Sequence, residues 1–239
     1  MRYLDLLLAD RPIGCWPLDE TGGTVARSYG PVGDGTISAS GVTPAYGPGG
    51  EIRSAMAFDG NGVVTMPSFS VTNLMGTGQP QTWEVLFRHG SDLSASSTVV
   101  VPVGLSGTSN YAFAFGAASS SLTNEVVTIA NSNAGSGDLT GFTGFTIPAG
   151  WHHHAIAYDG TQNGWTYFLD GVDTGTKVSS SGGCFGFSNS LNISLAESVV
   201  KYNVAGLAYL SVFNRRLSDA TIARHARAAF RGNTQRRPR

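Results

Sequence analysis

Residues 151–171 read WHHHAIAYDGTQNGWTYFLDG, and this stretch decides the fold. Two runs of bulky and aromatic residues, 151–158 and 165–169, flank a polar tip in which Asp and Asn precede glycine. Such pairs tolerate the positive φ of a tight connection. Side chains alternate along a strand, so Trp165 and Tyr167 point the same way. The pattern predicts a β-hairpin with one face deep in an apolar core.

The composition favours an all-β fold. Of 239 residues, 41% are hydrophobic, which is enough for a core, whereas only 13% are charged, well below the usual share of about a quarter. Glycine occurs 32 times, and glycine with Ser, Thr and Val is typical of short strands joined by tight turns. A net charge of -1 argues against a nucleic-acid partner, which needs an extended basic surface.

Neither a membrane span nor a secretory signal is predicted. No stretch approaches the ~20 consecutive apolar residues of a membrane span. The first ten residues lack a basic leader and a cleavage site. Cys15 and Cys184 are too few for a disulfide framework and are expected to be buried thiols, with a single bridge between them as the alternative.

A short helix is predicted at each end of the chain. Leu4, Leu7 and Leu8 share one face of a helix over residues 2–10. A second helix begins with Ser218 as its N-cap and packs on the sandwich. With no internal repeat, the expected divisions are an N-terminal helix or arm at 1–12, a sandwich at 13–217, a helix at 218–230 and a basic flexible tail at 231–239.

Alternating and bulky runs predict the remaining strands. In one of them Trp83, Val85 and Phe87 point inward, whereas Glu84 and Arg88 point outward, so Glu84 is expected to be a solvated carboxylate. The DGNG sequence at 59–62 predicts a second hairpin. The predicted strands cover 13–18, 35–38, 54–58, 63–66, 81–88, 97–103, 110–116, 124–130, 190–196 and 203–213.

Six motifs follow one another in a recognisable order: GCWPLDE at 14–20, AFDG at 57–60, WEV at 83–85, WHHHA at 151–155, YFLDG at 167–171 and VFNRRLS at 212–218. In this order they resemble the laminin-G-like (LamG) branch of the concanavalin-A-like jelly rolls. The resemblance implies a jelly-roll β-sandwich of two antiparallel sheets with Trp151, Trp165, Tyr167 and Leu169 at the centre of its core. The chain departs from the family at 205–210, where AGLAYL replaces an acidic stretch that many members carry.

The leucine-rich opening also resembles LamG modules of bacteriophage tail and head proteins. This resemblance implies a virion component that is made in the host cytoplasm. Its partners would be other tail or capsid proteins, and a second copy of itself is a further partner. We expect attachment through Leu4, Leu7 and Leu8 or through the tail residues Arg236, Arg237 and Arg239. Arginine greatly outnumbers lysine, which suits a phage of a GC-rich host.

No cofactor or catalytic site is predicted. A glycosidase needs a pair of carboxylates facing one sugar, whereas Glu84 is isolated and Asp19 and Glu20 are adjacent. His152 and His154 share a strand face, but His89 and His225 are isolated in sequence, so hydrogen bonding is favoured over metal binding.

Calcium at a loop rim is the alternative for three aspartates that each precede glycine, a position that turn geometry also explains. They are Asp59 (with Asn61), Asp159 and Asp170.

Three functions follow in order of preference. The first is a non-enzymatic structural or adhesive virion protein, a minor tail or capsid decoration protein that also binds host-surface glycans. The alternative is a stand-alone lectin-like carbohydrate-binding module, for which Tyr29, Tyr46, Tyr111 and Trp165 are candidate stacking platforms. A polysaccharide hydrolase is the least favoured. Binding, on this interpretation, lies on the glycine-rich loops and the chain ends.

Overall fold

The computed structural model describes residues 2–59, 61–67, 79–90, 100–105, 111–115, 127–131, 138–142, 146–161, 164–175, 177–179, 193–195 and 204–231. These residues form two antiparallel sheets with a helix near each end of the chain, which confirms the predicted all-β fold. The elements are α1 (Tyr3–Ala9), β1 (Gly14–Trp16), β2 (Val25–Ala26), β3 (Gly35–Ile37), β4 (Val42–Gly49), β5 (Ile52–Phe58), β6 (Val64–Thr65), β7 (Gln81–His89), β8 (Val100–Leu105), β9 (Tyr111–Phe115), β10 (Val127–Asn131), β11 (Asp138–Phe142), β12 (Gly150–Tyr158), β13 (Trp165–Leu169), β14 (Val172–Asp173), β15 (Lys177–Ser179), β16 (Ile193–Leu195), β17 (Val204–Phe213) and α2 (Asp219–Ala229).

Strand β7 lies near the centre of the first sheet. Within the described residues that sheet has the order β14-β13-β12-β7-β17-β5-β4, and β1 pairs with β17. The second sheet has the order β15-β11-β10-β9-β8-β16-β6-β3-β2. Because β7 is paired on both edges, with β12 and with β17, its side chains are placed by two neighbouring strands.

The first sheet is buried on both faces. Trp83 and Tyr167 belong to an apolar cluster that also contains residues of the second sheet, so they lie between the two sheets. Phe168 belongs to a separate cluster on the opposite face, to which α1 contributes Leu7 and α2 contributes Ile222. The chain therefore forms three layers, with the two helices covering the outer face of the first sheet.

The hairpin predicted at 151–171 is confirmed, with Tyr158 paired to Trp165 across its tip. The expectation of one buried face is too narrow, because the helices bury the other face as well. Asp170 and Gly171 have φ values of 52° and 79°. Two successive positive φ values make a type I′ turn, which joins β13 to β14.

The predicted hairpin at 54–66 is wrong. Phe58 ends β5 in the first sheet, where it pairs with Val42 and Val204. Val64 begins β6 in the second sheet and pairs with Leu195. The carboxylate of Asp59 accepts backbone hydrogen bonds from the amides at positions 61 and 62. This Asx turn sends the chain from one sheet to the other, although its sequence resembles a hairpin tip.

Strand β4 is absent from the sequence prediction. It lies at the end of the first sheet's order and pairs with β5. Pro44 and Pro48 interrupt its strand pattern. A proline cannot donate a ladder hydrogen bond, so such a segment fits an edge strand.

Both terminal helices form close to the predicted bounds. The side chain of Ser218 accepts a hydrogen bond from the amide of Thr221, as expected of an N-cap. Leu7 is fully buried, and Leu4 and Leu8 pack half-buried against the same helix-side cluster. These leucines therefore serve the chain's own core, and their role in attachment stays a prediction. The tail residues Arg236, Arg237 and Arg239 lie outside the described residues.

No helix in the described ranges is long and apolar enough to cross a membrane.

Candidate ligand-binding cleft

A cleft of about 490 Å³ opens on the helix side of the first sheet. It lies where the end of β4, the end of β7 and the start of β12 come together beside the C-terminal end of α2. Its larger side chains are aromatic or basic, and none of the described lining residues is acidic. The lining residues are Tyr46, Gly47, Pro48, Arg88, Ala149, Gly150, Trp151, His152 and Phe230.

Trp151 and Arg88 are register partners on β12 and β7, so their side chains share one face of the sheet. A Cβ built on Gly206 would lie 2.7 Å from Cζ2 of Trp151 and 3.4 Å from Cβ of Arg88. The indole therefore reaches across β7 and rests on the bare backbone of Gly206 in β17. This contact holds the indole in place at the cleft wall.

Two glycines line the cleft at positions that do not tolerate a side chain well. Gly150 has a φ of 127°, a conformation that side-chain-bearing residues rarely adopt, and a Cβ there would meet no atom within 4 Å. No described atom therefore fills the space beside its Cα. Gly47 also lines the cleft, and a Cβ there would collide with the carbonyl oxygen of Ile52 at 2.4 Å. The prediction that glycine-rich segments carry the binding surface thus has a candidate location.

Tyr46 is the most exposed aromatic residue of the cleft, at 89% of its full accessible surface. Of the other predicted platforms, Tyr29 is 55% exposed but does not line the cleft, and Trp165 is buried in the core. The side chain of Tyr111 lies outside the description. The placement of Trp151 in the core centre is wrong, because this residue is half-buried against the helix-side cluster and lines the cleft.

The rim of the cleft is held by His152. Its Nδ1 lies 2.8 Å from Oδ2 of Asp170, and its Nε2 lies 3.0 Å from the carbonyl oxygen of Pro148. Asp170 also accepts a hydrogen bond from the amide of His153 at 2.9 Å. Both imidazole nitrogens of His152 are thus engaged with protein acceptors, which fixes the loop before β12 to the turn after β13.

The expectation that Glu84 is a solvated carboxylate is wrong. Glu84 is fully buried under the helices, and its Oε2 lies 2.8 Å from Nδ1 of His225. Nε2 of the same imidazole lies 2.9 Å from Oδ2 of Asp10, which also accepts from Arg224 at 2.6 Å. Asp10 follows α1 and His225 lies in α2. This network therefore ties both helices to the centre of β7.

The charges in this network support one another. Burial alone would raise the pKa of Glu84, but His153, 3.8 Å away, and the hydrogen-bonded His225 outweigh it and lower the pKa to about 2. Burial likewise opposes protonation of His225, yet the hydrogen bonds to Glu84 and Asp10 raise its pKa. Glu84 is sealed from solvent and bound to protein partners, so it has no route to a substrate.

His89 looks isolated in the sequence, but in the structure it has a hydrogen-bonding partner. Its Nε2 lies 3.0 Å from Nε2 of His154, and Nδ1 of His154 lies 2.7 Å from the hydroxyl of Tyr167. Burial, with a smaller contribution from His152, lowers the pKa of His89 to about 3. Burial also lowers the pKa of His154 far below its usual range. The pair is therefore uncharged at neutral pH and belongs to the interior between the sheets.

The three candidate calcium aspartates use their oxygens in local hydrogen bonds. Asp59 and Asp159 accept from amides two residues ahead, at 2.8 Å in both cases. Asp170 binds His152 and the amide of His153. The contacts of Asp59 and Asp159 are those of Asx turns. The contacts of Asp170 hold the start of β12. In the described part of the chain, no group of three or more His, Cys, Asp or Glu side chains is arranged to hold a metal ion.

Cys15 is a buried free thiol. Burial raises its pKa to about 11, which leaves it protonated and unreactive at neutral pH. Cys184, its predicted alternative partner, lies outside the described residues.

The sequence matches no protein-family model and no curated protein. Solved structures nevertheless share the β-sandwich fold at low identity. Domain 4 of AbnA, a GH43 extracellular arabinanase from Geobacillus stearothermophilus solved with arabinotriose, is 13% identical with a TM-score of 0.59. The alignment covers 90% of this chain and 98% of that domain.

Toxin binding domains share the same architecture. The binding domain of botulinum neurotoxin serotype C1 is 11% identical with a TM-score of 0.63, over 92% of this chain and 52% of that chain. The binding domain of Paraclostridial Mosquitocidal Protein 1 is 11% identical with a TM-score of 0.59, over 95% of this chain and 54% of the other. This chain therefore spans about half of each toxin domain. At such identities the likeness establishes a β-sandwich fold.

Proposed function

We propose that this protein is a non-enzymatic saccharide-binding module whose cleft holds the sugar. The observation that carries the proposal is the exposure of Tyr46, 89% accessible, in the same cleft as the half-buried Trp151. A sugar ring presents an apolar face of C–H groups and a rim of hydroxyls. It therefore suits a pocket that combines aromatic rings with a few polar groups.

The structural neighbours support this class of ligand. Domain 4 of the arabinanase was solved in complex with arabinotriose. For botulinum neurotoxin type C, cell entry is described as dependent upon interaction with two ganglioside molecules. A domain matched over almost its full length was thus solved with a bound saccharide, and a toxin of which this chain matches about half interacts with gangliosides. Both findings support a saccharide as the class of ligand for this chain.

A binding role is favoured over hydrolysis by the placement of the carboxylates. Glycosidases need two carboxyl groups on either side of the bond that is cleaved. Among the described residues that line the cleft, none is Asp or Glu. Glu84 is the carboxylate at the centre of the first sheet. It is buried beneath the helices and bound to His225, so it cannot serve as a catalytic carboxylate of the cleft.

Substitution of Tyr46 with alanine is expected to weaken saccharide binding about tenfold or more, because a central aromatic contact is lost. Isothermal titration against a panel of polysaccharides and their oligomers measures this effect. The residue is so exposed that the free energy of unfolding should change by less than about 0.5 kcal/mol. Tyr29→Ala is the matched control, since Tyr29 is also exposed but lies outside the cleft lining. Equal losses in the two variants would contradict the assignment of the cleft.

Substitution of Gly206 with alanine is expected to weaken the same binding, although Gly206 itself does not line the cleft. The new Cβ would lie 2.7 Å and 2.8 Å from two indole atoms of Trp151, so the ring must shift. Binding is measured by titration, and the shift by a change in tryptophan near-ultraviolet circular dichroism. Gly22→Ala serves as the control, because a Cβ there meets nothing within 4 Å. If the indole is displaced and the affinity for the saccharide is unaltered, Trp151 does not contact the ligand.

The setting of this module is proposed from the LamG resemblance of the sequence. We propose that the chain is part of a phage particle, attached to a tail or capsid, where the cleft would contact host-surface glycans. Genes for capsid and tail proteins on either side of its own gene, and its peptides in purified particles, are the expected observations. Deleting residues 1–10 is a poor test of attachment, because Tyr3 and Leu7 are buried in the chain's own core. A gene neighbourhood without virion genes would contradict the setting and leave the saccharide proposal intact.

A further inference from the structure

We propose that the cleft selects acidic saccharides, with the guanidinium of Arg88 binding a sugar carboxylate beside the aromatic wall. This inference rests on the saccharide-binding function proposed above and assigns its substrate class. Three features of the cleft support it. The guanidinium of Arg88 is exposed, the described lining residues include no acidic side chain, and both ring nitrogens of His152 already contact protein acceptors.

Arg88 is an exposed cation that the fold leaves available. It lines the cleft at the end of β7, and no carboxylate among the described residues makes an ion pair with it. Arg224 on the same side of the sheet shows the contrast, because Asp10 binds it at 2.6 Å. The stem of Arg88 is fixed at its base, since its Cβ lies beside Gly206 and the indole of Trp151.

The surroundings do not neutralise this charge. The described residues that line the cleft include no acidic side chain. Asp170 approaches the rim through His152, but its two oxygens already accept from the imidazole at 2.8 Å and from the amide of His153 at 2.9 Å. A ligand that enters the cleft therefore meets the positive charge of Arg88 without a competing carboxylate.

His152 cannot take over the recognition of an anion. Its two ring nitrogens are engaged by Asp170 and by the carbonyl oxygen of Pro148, so it has no N–H left for a ligand. Recognition of charge then falls to Arg88. The planar guanidinium presents parallel N–H donors that match the two oxygens of a carboxylate, a geometry that lysine lacks. A sugar acid packed on Tyr46 would be held by its apolar face and by its charge at the same time.

The test compares acidic sugars with neutral counterparts of the same shape. The probes are oligogalacturonate with its methyl ester, oligoglucuronate with its methyl ester, and sialyllactose with lactose. Affinities for the intact protein are measured by titration at two salt concentrations. We expect at least one acid to bind about tenfold or more tighter than its neutral partner, because a hydrogen-bonded charge pair contributes that much. Added salt should reduce the preference.

Variants of Arg88 separate the charge from the remainder of the cleft. Arg88→Gln is expected to bind acid and neutral probes equally weakly, and Arg88→Lys to keep a reduced preference for the acid. Tyr46→Ala should weaken acid and neutral probes alike. Because Arg88 is exposed, circular dichroism should show that both Arg88 variants are folded.

The outcomes distinguish the two proposals. Equal affinity of the unaltered protein for each acid and its neutral partner would overturn acid selection and leave saccharide binding standing. A preference that persists in Arg88→Gln would also overturn the role of Arg88. Sulfated dextran is added to the panel as an anion without carboxylates, and its binding without that of any carboxylated sugar would overturn the carboxylate assignment. No binding to any probe would contradict saccharide binding itself.

Discussion

Replacement of His225 with alanine is expected to lower the free energy of unfolding by about 3–5 kcal/mol, the usual cost of removing one partner from a buried ion pair. Glu84 is fully buried, and the imidazole of His225 is its hydrogen-bond partner at 2.8 Å. Without that imidazole, the nearest ring nitrogen is Nε2 of His153 at 3.8 Å, beyond hydrogen-bonding distance. The remaining carboxylate must either stay charged without a partner or take up a proton.

Urea unfolding measures the change, and Arg224→Ala is its matched control. Arg224 is the preceding residue in α2 and also binds Asp10, but half of its side chain is exposed. An exposed pair contributes about 1 kcal/mol or less. Hydrogen exchange should also rise more in α1 and α2 than in β13, because the network connects the helices to the sheet.

The double variant Glu84→Leu/His225→Leu separates lost charge pairing from lost packing. When both charges are replaced by apolar groups, neither member of the pair is left as a buried charge without its partner, and such replacements are often neutral or stabilising. The double variant is therefore expected to be more stable than Glu84→Leu or His225→Leu alone. Strictly additive losses would show that Glu84 and His225 do not act as a pair.

The sequence predicts the elements whose signal is local. The alternation of Trp165 and Tyr167 defines a strand, and the Ser218 cap defines the start of a helix, because both patterns are complete within a few residues. The edge strand β4 escapes detection because its pairing with β5 overrides the two prolines in it. The turn at Asp59 has the composition of a hairpin tip, and only the tertiary placement of β6 shows that it connects two sheets.

The polar sites are less predictable, because their partners are distant in sequence. Glu84 and His225 are 141 residues apart, and His89 and His154 are 65 apart. Strand alternation correctly places Glu84 on the face opposite Trp83, but it does not reveal that two helices cover that face. Arg88 becomes a partner of Trp151 only through the register of β7 with β12. Tyr46 is the exception, since an aromatic residue among glycines and prolines marks an exposed platform.

Acidification is expected to destabilise the protein steeply below pH 6.5, through His89 and His154. Burial holds the pKa of His89 at about 3 and that of His154 far below its usual value, whereas both rings have a pKa near 6.5 in the unfolded chain. Between these values the unfolded chain binds more protons. The stability that the neutral rings confer is thus present above pH 6.5 and is lost as the pH falls. Each histidine contributes up to about 1.4 kcal/mol per pH unit, so two pH units remove up to about 5.6 kcal/mol, comparable to the whole stability of many domains.

The helix-side network follows a different course. The raised pKa of His225 means that its contribution is complete below pH 6.5 and is lost as the pH rises through the folded-state pKa. The contribution of Glu84 is complete above about pH 4.5 and is lost as the pH falls toward its folded-state pKa of about 2. Between pH 6.5 and 4.5 neither group reduces stability. The slope in this window therefore reports the buried histidine pair.

Urea midpoints measured from pH 7.5 to 4 test this assignment in the variant His89→Gln. Glutamine can place its amide where Nε2 of His89 meets His154, but it does not titrate, so the slope below pH 6.5 should fall by about half. Phe87→Leu is the matched control, because Phe87 packs against His89 at a ring distance of 4.3 Å and carries no proton. It should lower stability at every pH and leave the slope unchanged. A slope in His89→Gln equal to that of the parent would exclude the pair as the origin of acid sensitivity. The substitution removes one titrating ring, while burial, the largest cause of the lowered pKa of His154, remains.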